Sequence, residues 1–331
     1  MSVGFAVVPG RLIRRRTLCV KAAVDDSHTA GRRLGSVALT SATVMWAVGN
    51  AIQRQLILSG LNPSFVTAAR FGGTGLLFLP SFRLRYFIPG LKLALLSFCG
   101  NALLSMALRL TAASRASFFT SLSVILTPLL AAAVRKELPK ARHIYGSIIS
   151  FLGIYFITRE GLINSSISHL GDGLAFMAAF FFASYIVTLG IESPKHDTKG
   201  LTSAVRVCNG IICSSWALTV VALHLKSGST LPVQSILNSG VLAWIGIALL
   251  IAMLSASGLL QVWGQKKLNP NDCALIFSLV PVWSAIIGVT LFKETLKRTS
   301  IFGAALLFLG CFIGQREPSP TLAKHQSVDA N

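Results

Sequence analysis

Charge is scarce in this chain, and acid scarcer still. Of 331 residues, 12% are charged, with 11 Asp or Glu against 30 Lys or Arg. Soluble domains carry about 25% charged residues, which build their polar exterior. The supply here is too small for one or two soluble domains of this length, which excludes a typical cytosolic enzyme. Metal and disulfide frameworks are missing too. Cys19, Cys99, Cys208, Cys213, Cys273 and Cys311 form no Cys-x-x-Cys pair, and no histidine stands at ligand spacing from them. They read as small apolar packers. No Gly-x-x-x-x-Gly-Lys-Ser/Thr stretch is present to cradle nucleotide phosphates, so direct drive by ATP is excluded. Gly171-Asp172-Gly173 and Ser255-Ala256-Ser257-Gly258 each lack the companion residues of an intramembrane protease. The sequence therefore predicts no enzyme, no cofactor and no metal. Asp172 and Asp272 fall at predicted helix starts and Glu192 at a helix end. Proton coupling by a carboxylate deep in a span thus has no obvious carrier.

What is present is apolar surface. The listed apolar residues make up 53% of the chain and mean hydropathy is +0.68, so lipid must be the main solvent. The net charge of +19 does not mark a nucleic-acid binder. The bases cluster between apolar runs, without interleaved aromatics, as positive loops beside membrane spans do. A helix needs about 20 apolar residues to cross the hydrocarbon. The runs near that length cover 36–57, 63–82, 91–110, 115–134, 142–158, 171–190, 200–224, 240–262, 272–292 and 299–315. The fold class predicted is an all-α integral membrane protein with ten transmembrane helices and the lipid bilayer as its surroundings. Basic residues favour the loops that carry Arg83, Arg135, Lys140, Lys195 and Lys266, which places both termini on the cytoplasmic or stromal side.

The two ends differ from the middle. Residues 1–35 hold Arg11, Arg14, Arg15, Arg16, Lys21, Arg32 and Arg33 against Asp25 and Asp26. A basic, acid-poor leader before a membrane domain reads as an organelle transit peptide. Val20-Lys21-Ala22-Ala23 is similar to a chloroplast processing site, which points to a plastid envelope membrane. A plain basic arm is the alternative. The polar tail, 316–331, is expected to be disordered.

The middle is duplicated. Shifted by 157, residues 119–156 lie on 276–313 without a gap. Lys136-Glu137-x-x-Lys140 then meets Lys293-Glu294-x-x-Lys297, Gly146 meets Gly303 and Gly153 meets Gly310. At the start of each half the shift is 136, which brings Ala47 to Ala183 and Arg70 to Arg206. The difference of 21 residues is an insertion in the second half that includes the polar stretch 226–240. Five spans per repeat is an odd number, so the second repeat enters the membrane inverted, an arrangement typical of transporters.

Particular residues sharpen that reading. Arg70-Phe71, Leu126-Thr127-Pro128-Leu129, Ser278-Leu279-Val280-Pro281-Val282-Trp283, and Glu137 and Glu294 with the glycines after them, resemble the drug/metabolite transporter superfamily of the EamA-like type. The resemblance runs from 36 to 315. It implies two inverted five-helix repeats, 36–158 and 171–315, a central cavity, alternating access and a small-molecule metabolite as partner. It names no substrate. Val280 stands where relatives often carry Glu before the proline, so any role of that acid is absent.

Polar residues inside spans mark the expected cavity wall. An arginine at the bilayer centre costs about 2.5–3.5 kcal/mol on insertion scales, so it should face protein or water. Arg70 and Arg206 either attract an anionic group or hold the fold by capping carbonyls. Trp46, Asn50 and Arg54 share one face of the first span. Asn101, Tyr185, Asn209, Gln261 and Trp283 complete the set of substrate-binding positions, each with helix packing as the plainer alternative. The reading is a facilitator or exchanger for a polar or amphipathic metabolite. A phosphorylated-metabolite exchanger and a non-transporting membrane scaffold are the alternatives.

Overall fold

The structure, a computed structural model, describes residues 9–59, 61, 63–110, 118–164, 168–226, 240–292 and 298–315, with backbone alone over 9–29. Helix α1 is Pro9–Leu58, α2 Pro63–Phe78, α3 Phe87–Leu110, α4 Ser123–Arg135, α5 Ala141–Asn164 and α6 His169–Glu192. After these come α7 Thr198–Lys226, α8 Val241–Gln265, α9 Pro270–Phe277, α10 Val280–Phe292 and α11 Arg298–Gln315. Among the described residues there is no strand. Six helical segments are long and apolar enough to cross a membrane, and Ala141–Ile157 and Ile301–Gly314 are shorter apolar helices.

Local chemistry sets the ends. Pro63 and Pro270 open α2 and α9, where a missing N–H costs nothing. Ser168 caps α6 by accepting from the Gly171 N–H at 3.3 Å, and Asp197 caps α7 by accepting from the Gly200 N–H at 3.0 Å. Lys136 ends α4 in the left-handed region, at φ 56°, with its N–H on Ala132 O.

Two boundaries differ from the sequence reading. The packed body begins before residue 36. A Cβ on Gly35 would lie 3.1 Å from Lys267 Cβ, and Arg32 pairs with Asp272 at 3.4 Å. Run 272–292 is two helices, α9 and α10. Pro281 has no N–H for the Phe277 carbonyl, and Leu279 N turns back to Ile276 O at 3.0 Å. The Leu275 carbonyl then takes Ser278 Oγ at 2.6 Å and Cys311 Sγ at 2.9 Å. The same break occurs at Leu122, where Leu122 N donates to Phe119 O and both Ile125 N and Leu126 N donate to Leu122 O. Shifted by 157, those bonds become Leu279 N to Ile276 O, and Val282 N and Trp283 N to Leu279 O, all of which are present.

The helices pair as α1 with α8, α2 with α7, α3 with α6, α4 with α9, and α5 with α11. The α5–α11 crossing is antiparallel and built on glycine. A Cβ on Gly153 would fall 2.6 Å from Gly303 O, and one on Gly146 would fall 2.8 Å from Gly310 O. Backbones this close leave no room for a side chain. The α2–α7 crossing is antiparallel as well: a Cβ on Gly75 meets Arg206 O at 3.1 Å and one on Gly210 meets Phe71 O at 3.0 Å. The core runs through these seams, with Val124, Ile154, Leu275, Leu279, Val282, Leu307 and Cys311 in one buried cluster. Leu76, Leu218 and Leu242 are 72%, 68% and 83% exposed, and so many bare leucines require lipid around them. The cysteines whose side chains are described are free thiols, and Cys208, Cys213, Cys273 and Cys311 are buried.

The second charged copy at 293–297, the insertion residues 227–239 and the tail 316–331 lie outside the described residues, as do the side chains of Arg54 and Ser105.

Candidate functional site

Helix α7 carries the densest polar stripe. Thr202, Arg206, Asn209 and Cys213 stand at i, i+4, i+7 and i+11, so they share one face. All four are buried, and residues 201–210 are buried without interruption. Helix α8 answers with Leu254, Gly258, Gln261 and Gln265 at the same spacing. Cys213 packs with Leu254, and a Cβ on Gly258 would fall 2.7 Å from Arg206 Nε. These two contacts run the stripes antiparallel. Gly258 is the residue that makes room for the guanidinium.

Arg206 is 6% exposed, and its Nε has no hydrogen-bond partner. Tyr185, half-buried on α6, stands within Coulombic range of it. Asn209 is 1% exposed, and neither its Nδ2 nor its Oδ1 is partnered. The same holds for both amide atoms of Gln265, also 1% exposed. Gln261 is buried beside them.

Arg70 is held differently. Its Nη1 donates to Gln53 Oε1 at 2.7 Å, and the guanidinium lies 5.0 Å from the Phe71 ring centroid. Its Nε is unpartnered. Arg70 and Arg206 are within Coulombic range of each other, and no carboxylate of the described residues acts on either.

The other predicted positions scatter. Trp46 is half-buried against Phe277, with ring centroids 5.1 Å apart. Asn50, one turn on, is exposed. Trp283 Nε1 donates to Thr43 Oγ1 at 3.1 Å, which ties α10 to α1. Asn101 Nδ2 donates to Ser97 O on its own helix at 2.7 Å. Arg70, Tyr185, Arg206, Asn209 and Gln261 are thus brought to the α2–α6–α7–α8 region, whereas Trp46, Asn101 and Trp283 make their contacts elsewhere.

A second buried charge cluster was not anticipated. Asp272, fully buried on α9, pairs with Arg32 Nη2 at 3.4 Å and His143 Nδ1 at 3.6 Å. The starts of α5 and α9 meet the middle of α1 there. In the sequence Asp272 reads as a helix-start residue after Asn269-Pro270-Asn271, and nothing local announces partners 240 and 129 residues away. Gln53 and Gly258 were equally hidden, since each gains its meaning from a residue on another helix.

A model of the EamA-like transporter family matches the chain twice, over residues 33–159 and 169–314. An uncharacterized transporter of Archaeoglobus fulgidus is 27% identical over 262 residues, which is 78% of this chain and 79% of that protein. The uncharacterized transporter YyaM of Bacillus subtilis is 29% identical over 216 residues, 63% of this chain and 67% of its own. A solved crystal structure superposes with a TM-score of 0.67 at 15% identity, covering 85% of this chain and 96% of its own, a likeness of fold alone.

Proposed function

The chain belongs to the EamA-like transporter family, and from that premise we propose that it moves a small polar or amphipathic metabolite across a membrane by alternating access, as a facilitator or exchanger. The observation that carries this reading is the pairing of the helices. Number the first half α1 to α5 and the second α6, α7, α8, α9 with α10, and α11. Exchanging the halves turns α1–α8 into α6–α3 and leaves α2–α7, α4–α9 and α5–α11 unchanged, and those are the pairs present. Equivalent helices cross antiparallel at α2–α7 and α5–α11. Such crossings support two inverted five-helix repeats and ten spans, related by a pseudo-dyad in the membrane plane. The two matches to one family model support the same duplication. A protein with that symmetry has two equivalent ways to close, which is the physical basis of alternating access.

The substrate-binding set is Trp46, Asn50, Arg70, Asn101, Tyr185, Arg206, Asn209, Gln261 and Trp283, with the α7–α8 stripe at its centre. Asp172 and Asp272 stand in the first turns of α6 and α9 and not deep in a span, so the reading stays with facilitated exchange. Residues 1–35 are read as a leader carrying a plastid transit peptide with cleavage after Ala23, which leaves Arg32 and Gly35 with the packed body. Fusion of that segment to a fluorescent reporter tests the compartment.

Purified protein in liposomes tests the transport reading. Vesicles preloaded with metabolite pools should take up labelled solute faster than empty ones. A scaffold would accelerate nothing. Uphill uptake driven by a proton gradient would overturn the facilitator reading while leaving a transporter.

A further inference from the structure

We propose that Arg206 and Asn209, with Arg70 facing them across the α2–α7 contact, bind an oxyanion of the transported solute, a carboxylate or a phosphate ester. This rests on the transporter reading and names the chemistry of its substrate.

A buried cation with no counter-charge is strongly disfavoured, and so is a buried amide with no partner. Arg206 and Asn209 stand three residues apart on one helix face, 6% and 1% exposed. Nε of Arg206 and both amide atoms of Asn209 lack partners. A second guanidinium, Arg70, adds repulsion, and no carboxylate of the described residues offsets it.

The duplication shows what is missing. Arg70 and Arg206 are equivalent at the shift of 136. Arg70 has an acceptor in Gln53, at 2.7 Å. The equivalent of Gln53 is Leu189, fully buried with Leu93, Leu201, Val205 and Val262. The first-half arginine has one acceptor from its own chain, although its Nε is unpartnered as well, and the second-half arginine has lost that acceptor. Gly258 makes room for the guanidinium itself, at the face that Arg206 shares with Asn209. An oxyanion there takes charge-assisted hydrogen bonds from Arg206 Nε–H and Asn209 Nδ2–H, and lowers the repulsion between the two arginines.

Three-carbon probes that differ in head group test this on the full purified chain: lactate, glycerol 3-phosphate and neutral glycerol, at matched ionic strength. A bound solute raises the melting temperature by mass action. At least one anion should raise it and glycerol should not. A response to lactate alone assigns a carboxylate, to glycerol 3-phosphate alone a phosphate ester, and to both a general oxyanion site. Arg206→Gln should weaken the responding anion by more than about tenfold, the loss of one charge-assisted hydrogen bond. Asn209→Asp sets a carboxylate beside Arg206. It should melt above the wild type without solute and no longer respond to the anion. The proposal fails if neither anion shifts the melt, if glycerol matches them, or if either folded variant responds as the wild type does. Counterflow of non-anionic solutes with no anion response would sink this site and spare the transporter. An anion response with no exchange of any solute would do the reverse.

Discussion

Two seams of the bundle differ in what they leave over. Along α5–α11, Gly146, Gly153, Gly303 and Gly310 bring backbone against backbone, and each glycine meets the counterpart of its partner in the other half. The thiol enclosed there, Cys311, donates to Leu275 O. Along α7, burial is unbroken over 201–210, yet Arg206 and Asn209, with Gln265 on α8, hold unpartnered polar atoms. The Asp272 cluster stands between these cases: Arg32 answers the charge of the carboxylate, while its Oδ1, near the His143 ring, has no hydrogen-bond partner. Burial by itself therefore does not mark function in this protein. The distinguishing quantity is polar demand that the chain does not meet from within.

Substitutions at four positions sharpen that contrast. The largest effect belongs to the glycine seam. Gly153→Leu drives a side chain into Gly303 O and Leu307 N, both backbone, and should prevent a folded monodisperse protein in detergent. Gly153→Ala should already cost about 3 kcal/mol, the upper end for overpacking. A Gly153→Leu protein that melts normally would show the crossing to be looser than described. Next comes Asp272→Ala, which removes the buried carboxylate that Arg32 donates to and should cost about 1.5–3 kcal/mol by chemical denaturation, as loss of a hydrogen bond to a charged group does.

A smaller effect is expected at the α7 cap. The Gly200 N–H, with help from Lys266, holds the Asp197 carboxyl below the ordinary carboxylate range. A depressed folded pKa stabilises above the unfolded value of about 4 and loses that contribution as pH falls through the folded value. Asp197→Ala should therefore cost about 0.5–2 kcal/mol at neutral pH. The two melting curves should converge in acid. Divergence at low pH would reverse the sign and refute the cap.

The smallest effect is at Pro281. Its equivalent in the first half is Val124, and the helix breaks at Leu122 without a proline at that place. Pro281→Val should change stability by less than about 1 kcal/mol and leave amide exchange at Leu279 as it was. A continuous, strongly protected helix through 278–280 would show that proline alone makes the second break.

Much of this was written locally. Apolar runs near the length of a bilayer, bounded by proline and glycine, placed nearly every helix end within a few residues of where α3, α6 and α7 begin and end. The glycines at 146, 153, 303 and 310 could be read as contact residues because their spacing repeats. Arg70 and Arg206 stood out because charge inside an apolar run is costly wherever it points. The break at Leu122 could not be seen, because it has no proline of its own.

Sequence alone pointed to lipid around the chain and to a duplication of its halves, and marked which apolar runs carry polar atoms, since hydropathy, repeat spacing and insertion cost are properties of single segments. Only the tertiary structure decided which of those atoms are answered. Whether Arg70 meets Gln53, whether Arg206 meets anything, and whether Asp272 finds Arg32 and His143 depends on contacts between helices far apart in the chain. Such contacts are fixed by how whole helix faces pack, a collective outcome that no local window of residues contains.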